Sequence, residues 1–191
     1  MEEKYTADQK FQKVDFTENS FPGGEFENCE FINCNFSNTD LSNCRFSDCK
    51  FESCNLSMVN LARTSFDGTG FIMCKLVGVH FENCNKIPFS VEFINADLHL
   101  ASFYQFKLPN TRFLNCSLKE VDFAEADLTN SVFENCDLSS AIFEQTILEK
   151  ADLRTSYNFS IHPEINKIKK ARFSLNSLQG LLYKYDIIVE G

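Results

Sequence analysis

Large apolar residues recur along this chain with a period of five. Every fifth position from Phe11 to Phe81 is Phe or Leu without a miss, and the same pattern, shifted by two, runs from Phe93 to Leu153. Two positions before each large residue stands a second, mostly small one. All nine cysteines take that slot (Cys29, Cys34, Cys44, Cys49, Cys54, Cys74, Cys84, Cys116 and Cys136), and small residues fill most of it from Val91 to Ala151. Phe106 is a bulky exception followed by Pro109, which predicts a local bulge. Neither the helical period of 3.6 nor the strand period of 2 gives two inward residues in every five. A chain that turns a corner every five residues does, with cysteine acting as a small apolar filler.

Units such as Cys29-Glu30-Phe31-Ile32-Asn33 and Ala126-Asp127-Leu128-Thr129-Asn130 resemble the repeat of the pentapeptide-repeat proteins, and the resemblance covers residues 11–153. It implies an all-β fold, a right-handed quadrilateral β-helix with four pentapeptides per 20-residue coil. Residues 20 apart would then stack at strand spacing, about 4.8 Å. Phe and Leu alternate in the second block, so Phe93, Phe113 and Phe133 would form one column and Phe103, Phe123 and Phe143 the opposite one. Asn95, Asn115 and Asn135 would form an outward amide ladder. Lys10/Glu30/Lys50, Glu25/Arg45, Glu92/Arg112 and Lys107/Asp127 set opposite charges at the same separation, whereas like charges directly stacked would repel.

This reading divides the chain into a polar lead (1–10) prone to fraying, a first solenoid half (11–85), an interruption or loop (86–92), a second half (93–153), and a C-terminal coil, helix and dimerisation cap (154–191). Pro88 predicts a corner or small outward loop, with Lys86, Ile87, Pro88 and Phe89 as candidate recognition residues. The alternative is a plain phase slip between two half-solenoids. Beyond Leu153, residues 157–170 read as an irregular connection and Ala171-Arg172-Phe173 as one more repeat strand. Ser174 is the expected N-cap of a short helix whose Leu175, Leu178, Leu181, Leu182 and Tyr185 line one side, ahead of the apolar tail Ile187-Ile188-Val189. That helix is the expected lid for the last coil.

Composition narrows the chemistry. The chain has 191 residues, enough for one domain, and 43% hydrophobic content excludes wholesale disorder. A net charge of −9 argues against nucleic-acid binding through a general basic surface. An odd cysteine count and a charged start, Met1-Glu2-Glu3-Lys4, point to a reducing cytoplasm rather than secretion. No apolar run reaches the roughly 20 residues of a membrane helix. Cys-x4-Cys spacing fits no common zinc site, His80, His99 and His162 are scattered, and no metal or cofactor is expected. There is no phosphate-binding glycine loop, paired-His motif or nucleophile elbow, and Gly68-Thr69-Gly70 lies inside the repeat. The expectation is a protein without enzymatic activity or catalytic residues.

The segment His162-Pro163-Glu164-Ile165-Asn166, with the helix and tail that follow, is similar to the end of the microcin-type immunity proteins and, more distantly, the quinolone-resistance pentapeptide proteins. That resemblance implies a homodimer through the C-terminal end, with Ile187 among the contacts. It also implies an acidic rod that mimics DNA and binds a type II topoisomerase, DNA gyrase or topoisomerase IV. Residues 1–85 carry 13 acidic and 7 basic residues, 86–153 carry 11 and 5, and 154–191 carry 3 and 6, which suits acidic arms about a less acidic centre. The alternative is a generic protein-binding scaffold with a non-topoisomerase partner, since the repeat itself transmits no function.

Overall fold

The structure, a computed structural model, describes residues 4–18 and 21–188. The five-residue period closes into a four-sided solenoid in which each coil lies parallel to the next, 20 residues on. On the first face, β2 (Lys10–Gln12), β4 (Glu30–Ile32) and β6 (Lys50–Glu52) stack with Phe11, Phe31 and Phe51 in register. On the fourth face β1 (Tyr5–Ala7), β3 (Glu25–Glu27) and β5 (Arg45–Ser47) stack likewise. Both stacks run into β7 (Ser65–Ile72), which crosses the corner between the two faces. The first face then continues through β8 (Phe89–Ile94), β9 (Arg112–Leu114) and β10 (Val132–Glu134). Single parallel bridges, such as Asp15 to Asn35 to Asn55 and Asp40 to Asn60, join coils on the second and third faces.

Each corner is a backbone requirement that the sequence carries only in part. At most corners the residue two positions after the large one sits in the left-handed region, from Asn28 at φ 50° to Asn110 at φ 61°. Asn tolerates this conformation better than most residues, and it recurs here as Asn33, Asn38, Asn43, Asn95, Asn115, Asn130 and Asn135. The expected amide ladder is one use of this column. Asn115 Nδ2 donates to Asn95 Oδ1 at 3.0 Å, and Asn135 Nδ2 donates to Asn115 Oδ1 at 3.2 Å. Met58, Arg63 and Leu100 hold the same conformation at a local cost. Each is anchored by its N–H to the next coil: Met58 to Val77 O at 3.0 Å, Arg63 to Asn83 O at 2.9 Å and Leu100 to Lys119 O at 3.0 Å.

Inside, identical rings stack. Phe93 lies 5.2 Å from Phe113, which lies 4.9 Å from Phe133; Phe103, Phe123 and Phe143 form the opposite stack at 5.5 and 5.4 Å. In the first half the two Phe columns are adjacent instead, Phe31–Phe51–Phe71 and Phe26–Phe46–Phe66. The small slot proves to be more than filler. Its side chain donates to the carbonyl of a large residue in the coil below: Cys54 Sγ to Phe31 O at 3.2 Å, Thr64 Oγ1 to Leu41 O at 2.7 Å, Ser131 Oγ to Leu108 O at 2.7 Å. Cysteine, threonine and serine are interchangeable there because each is small and carries a donor. All nine cysteines are free and buried, and burial pushes the Cys44 and Cys49 thiols up to about 11, so they stay protonated.

The interruption is shorter than residues 86–92. Asn85 still joins the ladder, its N–H donating to Thr64 O at 2.8 Å, and β8 begins at Phe89, which takes the fourth-face position opposite Phe66. The register between Phe66 and Phe89 is 23 residues and falls back to 22 by Phe71 and Phe93, with an irregularity between. The expected bulge at Phe106 does not form. The bridge from Lys107 to Asp127 is regular, and the Phe106 ring is buried edge-on against Phe89 at 4.6 Å, filling space that the displaced strand leaves.

Both ends extend the ladder. Residues 4–10 are paired rather than frayed, with Glu25 N–H donating to Lys4 O at 2.8 Å. Residues 157–170 form a further coil, bridging Asp137 to Tyr157 and Ile147 to Lys167. Its Asn166 is buried and substitutes for a regular strand: Oδ1 accepts Thr146 N–H at 2.8 Å and Nδ2 donates to Phe143 O at 2.9 Å. Above it lies a single turn of α-helix, α1 (Gln179–Leu182), flanked by 3₁₀ turns. Ser174 stands at the N-cap of the first 3₁₀ turn, Leu175–Ser177, rather than of α1, whose N-cap is Leu178, and its hydroxyl bonds the Ser177 hydroxyl. Only part of the expected lid covers the core. Leu181 packs against it and Gly180 is buried on Phe159, whereas Leu175 is 87% exposed and Leu178, Tyr185, Ile187 and Ile188 also face outward. Val189 lies outside the described residues.

Two predictions follow from the packing of polar caps and of this lid. Outward Asp and Asn residues cap their own turns, accepting the N–H two residues on, as in Asp40 with Ser42 at 2.9 Å. The Thr17 hydroxyl holds Asp15 below the usual carboxylate range, the Ser42 N–H does so for Asp40, and the Arg154 side chain for Asp152. A depressed folded-state value contributes stability that is present above the ordinary carboxylate range and is lost as pH falls through the folded value. Thermal melts followed by circular dichroism should therefore be flat between about pH 6 and 8 and fall below about pH 4; a rise on acidification would contradict the capping role. Second, a Cβ at Gly180 would meet both the carbonyl and the ring of Phe159, so Gly180→Ala should lift the helix and expose residues 174–188 to proteolysis. The solenoid should stay resistant, and an unchanged cleavage pattern would refute the close approach.

Candidate interaction surface

The interior is filled, and each face presents three outward residues per coil: those before, after, and two after the large one. On the first face, charges neutralise one another. Lys10 pairs with Glu30 at 3.1 Å, Lys50 with Glu52 at 2.6 Å, and Arg112 with Glu92 at 3.1 Å and Glu134 at 3.7 Å. Arg154 and Arg172 share Asp152. Two stacked pairs expected from the sequence, Lys10/Glu30 and Glu92/Arg112, thus form as ion pairs. Glu25/Arg45 and Lys107/Asp127 are in register, but no ion pair joins them among the described residues.

The acidity of the chain gathers on the second and third faces. Asp97, Glu120 and Asp137 stand on the second, with Lys119 reaching Asp137 at 3.3 Å. The third carries Glu82, Asp122, Glu125 and Glu144, and its outward positions from His80 to Gln145 hold no Lys or Arg. Glu125 is held in a small cluster: Gln105 Nε2 donates to it at 2.9 Å and the Tyr104 hydroxyl at 3.2 Å. That bond to Glu125 raises the Tyr104 pKa, so the phenol remains a donor.

The other residues singled out from the sequence fall into two groups. At the interruption, Lys86 is exposed and Ile87 is 88% exposed, whereas Phe89 is half-buried among the rings of Phe66, Phe81 and Phe106. Phe89 is a core residue, and an outward loop here consists of little more than Lys86 and Ile87. At the carboxyl end, Leu175, Leu178, Tyr185 and Ile187 form an exposed apolar group with Tyr183 and Ile188, beside half-buried Leu181 and Leu182. Glu164 ties this group to the last coil through Lys184 and through the Tyr185 hydroxyl. A groove of about 530 Å³ between Tyr157, Phe159, Gly180, Tyr183 and Ile187 follows the edge of the lid.

Among the described residues no group of His, Cys, Asp or Glu is placed to hold a metal ion, and no helix is long and apolar enough to cross a membrane.

Known structures share this architecture. A trypsin-treated variant of QnrB1, a plasmid-mediated fluoroquinolone resistance protein, superposes with a TM-score of 0.72 at 21% identity, covering 98% of this chain and 92% of that one. HetL, a pentapeptide-repeat protein involved in heterocyst differentiation regulation from the cyanobacterium Nostoc sp. strain PCC 7120, gives 0.66 at 17% identity, covering 89% and 87%. Full-length QnrB1 gives 0.56 at 19% identity, covering 96% and 100%. No curated protein sequence matches the chain. At these identities the likeness speaks for the fold. The family model of the pentapeptide repeat region, however, matches residues 24–89 and 86–157, all but about one coil at each end of the stacked ladder, and the chain belongs to the pentapeptide-repeat family.

Proposed function

We propose that this chain is a non-enzymatic, cytoplasmic interaction protein whose acidic second and third faces take the place of DNA on DNA gyrase or topoisomerase IV, protecting the enzyme from a quinolone or a toxin. The observation that carries this reading is the third face, whose outward positions from His80 to Gln145 carry Glu82, Asp122, Glu125 and Glu144 and no Lys or Arg; one cation reaches it, Lys86, whose Nζ donates to Gln105 O at 3.3 Å. A rigid acidic strip suits a cationic DNA channel through charge complementarity, which steers encounter more than it sets affinity. The structural likeness to QnrB1, named for fluoroquinolone resistance, supports the choice of partner. Two copies joined end to end at Leu175, Leu178, Leu181, Leu182, Tyr185 and Ile187 would lengthen the strip and cover the exposed apolar group, which a monomer leaves in water.

A second reading rests on the first face. Ile72, Ile94 and Leu114 stand in register there, half-buried beside ion pairs that neutralise themselves. A flat, neutral, partly apolar strip suits a protein partner other than a topoisomerase, and HetL supports a regulatory use of the same fold.

The partner is tested by supercoiling and quinolone-stabilised cleavage with gyrase and topoisomerase IV of the native host. The protein should shift one of these assays at micromolar concentration or below, and Glu125→Lys with Glu144→Lys should weaken the effect about tenfold or more. No shift with either enzyme would remove the topoisomerase reading and leave the scaffold. The dimer is tested separately by light scattering of Leu175→Asp and Ile188→Asp in 500 mM NaCl, where an apolar end-to-end contact persists and electrostatic contacts are screened. Those side chains are 87% and 88% exposed, so the changes should halve the mass without unfolding the chain. An unchanged dimer mass would refute the end-to-end contact.

A further inference from the structure

The fourth face sorts its charges by sign and leaves them without internal ion pairs. Before the interruption its outward positions carry Asp8, Glu25, Glu27, Asp48 and Asp67, with Arg45 as counter-charge and Lys4 at the edge. After it they carry Lys107, Lys150, Lys167, Lys169 and Lys170, with Asp127 and Glu149 as counter-charges. Lys86 lies at the boundary. Every ion pair among the described residues lies on another face or at the cap, and none uses a fourth-face residue. The same residue types on the first face neutralise one another in place. Within one molecule the two ends of the fourth face cannot do so. Asp67 and Lys150 are four coils apart, roughly 20 Å at 4.8 Å per coil, well beyond a Debye length of about 8 Å in physiological salt.

The acidic end is ordered as well as charged. Tyr5 donates its hydroxyl to Glu27 at 2.6 Å, and Asn28 Nδ2 donates to Asp8 at 2.7 Å, fixing those carboxylates without neutralising them. Between the two ends the surface is built mostly of small residues, Ser47, Ser65, Gly68, Pro109 and Thr129, with only Lys86 and Ile87 projecting at the interruption.

We propose that a second copy of this chain covers the fourth face, side by side and antiparallel. A twofold axis near the interruption would set Glu25 and Glu27 of each copy against Lys167 and Lys169 of the other. The sign change along the face makes it complementary to itself under that rotation, and a twofold contact of this kind closes after two copies. This contact is independent of the end-to-end pairing above: it uses no cap residue, and because it is electrostatic it is sensitive to salt where an apolar contact is not.

The test uses the full chain carrying Leu175→Asp, so that end-to-end pairing is suppressed, in sedimentation velocity at 50 and 500 mM NaCl. Self-association should be present at low salt and weaken about tenfold or more at high salt. Reversing either end alone, with Glu25→Lys and Glu27→Lys or with Lys167→Glu, Lys169→Glu and Lys170→Glu, should leave monomers. Mixing the two reversed variants in equal amounts should restore a salt-sensitive pair, because one then presents a basic and the other an acidic fourth face. Unaltered circular dichroism melts would show that these exposed changes leave the fold intact. A parent that sediments identically at both salt concentrations, or a mixture that stays monomeric, would overturn the proposal.

Discussion

Everything in this structure depends on one constraint: each residue lies directly above its counterpart one coil earlier, 20 positions back or 22 to 23 across the interruption, held there by backbone hydrogen bonds between parallel coils. Lys50 N–H donates to Cys29 O at 2.9 Å, and Gly70 N–H to Cys49 O at 3.0 Å, and so on upward. Once backbones are locked at strand spacing, side chains must stack at it too. Flat rings do this with little rearrangement, which is why Phe columns hold interplanar angles of 6° to 15° along much of the rod, as at Phe11–Phe31 and Phe26–Phe46. The small slot obeys the same constraint from the other side, since it must be short enough to clear the neighbouring column and still reach the carbonyl below.

How legible this was depended on whether the information sat in spacing or in conformation. The Phe columns, the Asn ladder, and the Lys10–Glu30 and Arg112–Glu92 pairs could be read from residues 20 apart because stacking is a rule about spacing alone. The left-handed corners could not be read so directly, since Met58, Arg63 and Leu100 occupy them beside the asparagines. At the interruption the sequence misled in a specific way. Phe89 looked like a loop residue because it is out of phase, yet the ladder absorbed the extra residues before it and returned its ring to the fourth column. Phe106 looked like a defect for the same reason. The two irregularities compensate, ring against ring, and a signal for that lay in their both being Phe where the pattern asked for neither. The carboxyl end was the least legible part. A helix of one turn has no periodicity from which to tell inward from outward, and a buried Gly180 rather than a row of leucines makes its close contact with Phe159.

Stacking makes each of the four outer faces nearly independent. A change on the third face meets its neighbours two coils away only through residues on that same face, so charge can accumulate on one side without disturbing another. The first face is neutral by internal pairing, the second and third are acidic, and the fourth divides into acidic and basic halves. A net charge of −9 therefore describes no single surface of the molecule.

The same independence bears on how the two halves came to differ. Across the interruption the Phe-rich columns change from the fourth and first to the first and third, with Phe81–Phe103 stacked at 4.6 Å where the third column begins and Phe66–Phe89 edge-on where the fourth column ends. At the plain 20-residue register Lys86 would stand directly above Phe66, a charged residue in a large apolar position. Displacing the strand by three residues admits Phe89, and Phe106 fills what remains, so the break is where one packing scheme is converted into another. A conversion of this kind must occur within about one coil, because a partly filled layer exposes both of its neighbours to a cavity. The loop Lys86–Ile87 is then a by-product of core packing at that layer, and its position at the sign change of the fourth face follows from the same joint between two half-solenoids.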